Sequence, residues 1–139
     1  MIISFTSHYK KFKLQKSASL KKWVEAVIKK EKKKVGEIQY VFVSDEDLLK
    51  MNKQFLKHAT YTDIITFDYS DNETISGDIF ISIERVKENS VKFNTEFNDE
   101  LHRVLIHGVL HLCGYKDKTK KDAALMRKME ENSLSKKFF

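Results

Sequence analysis

Asn98-Asp99-Glu100-Leu101-His102-Arg103-Val104-Leu105-Ile106-His107-Gly108-Val109-Leu110-His111-Leu112-Cys113-Gly114 is the stretch whose reading decides the fold. Leu101, Val104, Leu105, Val109, Leu110 and Leu112 take the core-like positions of a strongly apolar helix. Asn98 is expected to cap it, Asp99 and Glu100 to sit in its positive first turn, and Gly114 to stop it. A helix this apolar is buried, so the remaining chain has to cover it.

Working outward, residues 84–93 read as a short helix before this stretch, and residues 120–134 as an amphipathic one after it. Ile2–Ser7, residues 38–43, residues 63–67 and residues 78–82 read as strands, from alternation and from β-branched and aromatic content. The polar loop 71–77 between the last two suits an antiparallel hairpin. Ser19 is expected to cap a helix with a stripe of Leu20, Trp23, Val24, Val27 and Ile28, stopped by Gly36. Ser44, with Asp47 three residues on, opens another helix through Leu48, Leu49, Asn52 and Phe55. The order β-α-β-α-β-β-α-α-α argues an α+β fold: a small mixed four-stranded sheet covered by about five helices. At 139 residues the chain is expected to form one domain, 1–139.

Composition narrows the chemistry. The one cysteine, Cys113, excludes an internal disulfide and every multi-cysteine zinc or iron–sulfur site. No apolar run approaches the ~20 residues of a membrane span, and the start of the chain lacks the pattern of a secretory signal. The expectation is a cytoplasmic protein with no membrane partner. Net charge is +6, but residues 10–34 carry +9, residues 35–115 carry −7, and residues 116–139 carry +4. Basic ends around an acidic middle permit a polyanionic partner. Lysine runs without interleaved arginine and aromatics are read equally well as solvated surface.

His107 and His111 stand four apart, which puts their Cβ atoms ~5–6 Å apart on one helix face. Both imidazoles can then reach one ion at ~2.0–2.1 Å, and Asp117, beyond the Gly114 stop, is the candidate third ligand. Two histidines and one carboxylate leave a position open for water, the pattern of catalytic rather than structural metal sites. Gly108 occupies the place where an H-E-x-x-H metalloprotease carries its general base, which disfavours that mechanism. It also suggests a close approach to the backbone, since glycine is poor in a helix interior. Cys113 and His102 point elsewhere on the helix, and they and His8 and His58 read as packing or surface residues.

The run His107-Gly108-Val109-Leu110-His111-Leu112-Cys113-Gly114-Tyr115 resembles the H-G-x-L-H-L-x-G-Y-D-H signature of the YbeY family. Asn52 and Phe55 match its N-x-x-Y, Thr62-Asp63-Ile64-Ile65-Thr66-Phe67 resembles its T-D-V-L-S-F, and Gly77-Asp78-Ile79 matches its G-D-I. The resemblance implies a metal-dependent, single-strand-specific endoribonuclease in small-subunit (16S) rRNA 3′-end maturation and ribosome quality control. It implies one divalent ion, with zinc favoured, and as partners rRNA, the small ribosomal subunit and a small-subunit ribosomal protein. Three positions depart from the pattern. Asp117 replaces the third histidine, Leu56 stands where the family has an arginine after its tyrosine, and Tyr61 stands where a proline usually precedes T-D.

On this reading His107, His111 and Asp117 are the metal ligands, with a metal-activated water attacking a phosphodiester. No general base stands out; Asp63 and Asp78 are candidates, with a hydrogen bond to Thr62 the more ordinary role for them. Lys116, Lys118 and Lys57 are the candidate phosphate contacts. Three alternatives stay open: a non-catalytic, metal-stabilised ribosome-assembly factor, which Leu56 keeps alive; a non-haem iron enzyme, which shares the two-His-one-carboxylate set; and a peptidase.

Overall fold

The computed structural model describes residues 2–139. The chain runs β1 (Ile2–Ser7), α1 (Ser17–Lys30), β2 (Lys34–Val43), α2 (Asp45–Phe55), β3 (Ile64–Asp68), β4 (Thr74–Ser82), α3 (Ile83–Lys92), α4 (Phe97–Leu112) and α5 (Lys120–Ser135). The four strands form one sheet in the order β1-β2-β4-β3. β1, β2 and β4 are parallel, and β3 returns antiparallel to β4, so the sheet is mixed and the fold α+β as its pattern implies.

Strand alternation divides the core. Tyr40, Phe42, Ile79 and Ile81 face the layer of α1 and α4, together with Trp23, Leu105 and Leu110. Val41, Val43 and Ile65 face the other way, under Leu48 of α2. Two buried polar groups tie the helices down. Tyr40 donates its hydroxyl proton to the Leu105 carbonyl at 2.8 Å, and Trp23 Nε1–H donates to the Ser133 carbonyl at 2.9 Å. Gly108 sits where α4 presses on the sheet: a Cβ there would lie 3.0 Å from Ile64 Cδ1 and 3.0 Å from Ile79 Cγ2. The close approach read from the sequence is therefore real, and its partner is the sheet.

Several boundaries differ from the sequence reading, each for a local reason. α1 begins at Ser17, after Lys16 in a left-handed conformation at φ 58°, so Ser19 falls inside its first turn. It ends at Lys30, and Lys32 at φ 60° begins the reversal; Gly36 belongs to β2 instead. A side chain at Gly36 would collide with the Ser76 hydroxyl and the Ile75 carbonyl of β4. α4 starts at Phe97 with Glu96 before it, so Asn98 is not the cap, while Asp99 and Glu100 do occupy its first turn. β4 starts four residues earlier than 78 because Asp71 closes the hairpin tightly, accepting from the N–H groups of Glu73 (2.9 Å) and Thr74 (2.7 Å). Ser44 caps α2 through the Asp47 N–H at 3.1 Å, and Gly114, at φ 107°, follows the end of α4, as expected.

Two measurements test this packing. Gly108→Val should lower stability by about 1–3 kcal/mol in urea unfolding, because its side chain must displace Ile64 and Ile79. His102, buried against Trp23 and Phe139, has its pKa pulled down to about 4, first by burial and then by Lys137. The unfolded chain therefore binds a proton between about pH 6.5 and 4 that the folded one refuses. Stability should fall by about 2 kcal/mol from pH 7 to pH 5 on this account, and His102→Gln should flatten that slope.

Candidate metal centre

α4 places His107 and His111 one turn apart, with their Nε2 atoms 3.0 Å from each other. Gly114 turns the chain back, and Asp117 Oδ2 comes to 3.3 Å from each Nε2. Each ring is held from behind. The carbonyl of Tyr115 accepts from His111 Nδ1–H at 2.9 Å, and Glu130 Oε2 accepts from His107 Nδ1–H at 2.5 Å. With both protons on Nδ1, the two Nε2 lone pairs and a carboxylate oxygen converge on one point with no proton between them. That donor set fits a cation. Tetrahedral ligands at ~2.0–2.1 Å from an ion stand about 3.3–3.4 Å apart, close to the spacings here. His107, His111 and Asp117 thus form a group able to hold a metal ion.

Behind the ligands runs a chain of charge. Glu130, on α5 and 2% exposed, accepts from Arg103 Nη1–H at 3.0 Å as well as from His107. Arg103 also grips buried Glu100 through Nε–H and Nη2–H at 3.1 and 2.5 Å. Burial pulls the Glu130 pKa upward, but His107 and Arg103 outweigh it and hold the carboxyl below its ordinary range. Burial likewise opposes the Arg103 guanidinium, and the two glutamates push its pKa well above the usual value. Neither Glu130 nor Arg103 stands out from the sequence. The one signal there is a glutamate on the buried stripe of the last helix, with Met126 and Ser133 as the other buried positions.

The cluster opens into a cleft of about 670 Å³ between α4 and β3. Thr62, Asp63, Thr66, Leu56 and Lys118 line it with His107, His111 and Asp117. Burial raises the Asp63 pKa, against the lowering influence of Arg103 and His107. The Thr62 hydroxyl donates to the Ile64 carbonyl at 3.3 Å rather than to Asp63. Asp78 lies elsewhere: Ile79 faces Gly108, so Asp78 faces the opposite side of the sheet, in a groove with Ser4, Glu37 and Gln39. Lys116 points to a separate groove with Glu31 and Lys33, and Lys57 is an exposed loop residue just beyond Leu56. Cys113 is no ligand here; burial pushes its thiol up to about 12.

Fold and site together define an α+β protein with a helix-borne His-His-carboxylate cluster at the mouth of a cleft. The chain belongs to the endoribonuclease YbeY family, whose model matches residues 3–137. A Christiangramia forsetii relative named endoribonuclease YbeY is 50% identical over 89% of this chain and 87% of its own. One of the same name from Cytophaga hutchinsonii is 51% identical over 96% and 94%. A Thermotoga maritima protein solved in solution matches with a TM-score of 0.68 at 28% identity, covering 96% of this chain and 87% of that one.

The Glu130 bond gives a test independent of activity. Glu130→Gln keeps the shape but offers one acceptor oxygen to two donors, His107 and Arg103. Metal affinity in chelator competition should drop by about 10–100-fold, while Asp78→Asn, on the far face, should leave it unchanged.

Proposed function

We propose that this chain is a metal-dependent endoribonuclease that cleaves single-stranded RNA at the His107–His111–Asp117 centre. The observation that carries this reading is the convergence of three ligand atoms on one point at the mouth of an open cleft. Family membership and relatives named endoribonuclease support RNA as the substrate class. A divalent ion at this centre, with zinc the proposed identity, would supply Lewis-acid polarisation of a water or phosphoryl oxygen. The finer assignments follow the family: 16S rRNA 3′-end maturation and ribosome quality control. They extend to the small subunit and one of its proteins as partners, a cytoplasmic location, and one domain over 1–139. Among the described residues no helix is long and apolar enough to cross a membrane.

The chain's own residues divide the work. Glu130 and the Tyr115 carbonyl fix the tautomers and orient both rings, so each Nε2 lone pair is already aimed. Asp117 contributes the anionic ligand. Asp63 lines the same cleft as the ligands and is the carboxylate placed to hold a proton near the reacting phosphate; Asp78 is on the wrong face for that. Lys118, on the cleft wall beside Asp117, can hold a flanking phosphate. Leu56 presents an apolar wall where the family has arginine.

Metal content and cleavage of a single-stranded RNA, measured together, test the reading. The untreated protein should bind metal and cleave, and chelator or His111→Ala should abolish both. Asp117→His should retain metal, since imidazole and carboxylate reach similar distances. Undiminished cleavage by metal-free His111→Ala sinks the proposal. Intact RNA in the presence of metal-loaded protein favours a ribosome-assembly role without cleavage, the reading Leu56 supports.

A further inference from the structure

β3 is an edge strand: in the sheet order β1-β2-β4-β3 it pairs with β4 alone. Its register fixes which main-chain groups that pairing uses. Ser82 N–H donates to the Asp63 carbonyl at 3.0 Å, and Tyr69 N–H donates to the Ser76 carbonyl at 2.9 Å. Antiparallel ladders alternate, so between those two bonds it is Ile65 and Phe67 that bond to β4. The N–H and C=O groups of Ile64, Thr66 and Asp68 therefore point outward from the free edge. All three residues line the metal cleft. Ile65 lines it too, although its side chain packs on the other face with Leu48, so main chain forms part of that wall.

The outward groups are not equally free. The Ile64 carbonyl accepts from the Thr62 hydroxyl at 3.3 Å. At Asp68 the strand ends, and the carboxylate there turns back to accept from Ser70 N–H at 2.8 Å. Between them, Thr66 has both its N–H and its carbonyl without a protein partner among the described residues. Such groups have to find partners in water or in a ligand. The charge on this wall limits what that ligand is. Asp68 is the ionic side chain beside Thr66, whereas Lys118 and Arg103 lie on the α4 side of the cleft with His107 and His111. A phosphate running along β3 would meet a carboxylate, and a neutral base would not be repelled.

We infer that the free edge of β3 holds an unpaired base of the RNA strand through the main-chain N–H and carbonyl of Thr66, while the phosphodiester faces the histidines across the cleft. A donor and an acceptor projecting side by side match a base edge, which offers an acceptor beside a donor. A base already paired in a duplex has no such edge to give, so the contact selects single strands. Leu56, 45% exposed and on the same cleft, offers apolar surface to the face of that base. A peptide strand is the other ligand for a sheet edge, but it needs a run of main-chain bonds. Here the run is cut at the Ile64 carbonyl and at the turn after Asp68. The inference rests on RNA as the proposed substrate, but it does not depend on cleavage.

The test is amide hydrogen exchange, resolved by NMR, with a short single-stranded 2′-O-methyl phosphorothioate oligonucleotide that resists hydrolysis. The bound oligonucleotide should slow exchange at Thr66 by about tenfold, the effect of one main-chain hydrogen bond. Amides of β1, the edge strand on the far side of the sheet, should not change. A strand of equal length and charge with abasic sugars should bind more weakly and leave Thr66 unprotected. Thr66→Pro removes the outward N–H at an edge position where proline leaves the ladder intact, and should weaken oligonucleotide binding by about tenfold in anisotropy. The abasic strand should bind this variant and the unchanged protein alike. If Thr66→Pro does not fold, the exchange measurement decides alone. Equal protection by the abasic strand overturns the inference, since a phosphate then makes the contact. So does an oligonucleotide that leaves Thr66 exchanging freely, whether it binds or not. Protection of Ile64, Thr66 and Asp68 by an unfolded peptide of alternating threonine and valine, with none from the oligonucleotide, marks a peptide edge and overturns it too. Failure of the nuclease reading looks different: base-dependent protection persists while metal-loaded protein leaves unmodified RNA intact.

Discussion

The close approach of α4 to the sheet is the constraint on which the rest depends. Only hydrogen at position 108 lets the helix settle against Ile64 and Ile79 without displacing them. That contact fixes the helix rotation, and rotation decides where His107 and His111 point. His107 and His111 lie together to one side of that contact and emerge at the edge of the core, half-buried, on the wall of the cleft that β3 completes. The helix gives up intrinsic propensity at Gly108, and tertiary packing more than offsets it. Site and core are therefore one structural unit, built from the same two turns.

Rotation alone does not set a ring. The imidazoles are fixed by acceptors behind them, and the more demanding of these is Glu130. A carboxylate this deeply buried is tolerable only when charge and hydrogen bonds answer it in full. Arg103 answers on one side and His107 on the other, while Glu100 supplies the remaining acceptors for Arg103. Among the described residues no buried side-chain nitrogen or oxygen lacks a partner, so the network is complete. Such completeness makes the arrangement stiff, because removing one member strands another in low dielectric. It also explains why α5, otherwise a weakly amphipathic outer helix, is held at this position: its carboxylate is bonded to both His107 and Arg103 of α4.

Much of this was legible in the chain. The apolar periodicity of α4, the β-rich segments and the Ser44 cap gave the element order and the α+β class. The i, i+4 histidines and the following carboxylate are the residues that the structure brings together as a group able to hold a metal ion. What escaped was non-local. Strand alternation puts Asp63 on the same side as Asp78, since Phe67 pairs with Asp78, yet Asp63, which lies just before β3 rather than within it, lines the cleft and Asp78 does not. Glu130 pairs with His107 across 23 residues, and nothing near either one announces the partner. The helix starts at Ser17 and Phe97 escaped because neither uses a side-chain cap, so the residues that usually mark a helix start mark nothing there.

The three candidate ligands are not equal in how they are held, and this bears on the departure from the family pattern at Asp117. His107 and His111 are carried by a buried helix, with each ring braced by an acceptor. Asp117 belongs to the turn after Gly114, 41% exposed and unbraced by any side chain but the histidines it faces. Ordering that turn is entropically costly for whichever ligand it offers, and a short carboxylate loses less rotamer freedom than a longer side chain would. A position governed by the turn rather than by the core is also one where chemistry can change without disturbing packing. On the proposed function, two neutral imidazoles and one carboxylate would leave a bound divalent ion with a single net positive charge, where the third histidine of the family pattern would leave two, so Asp117 would temper the attraction of the centre for phosphate.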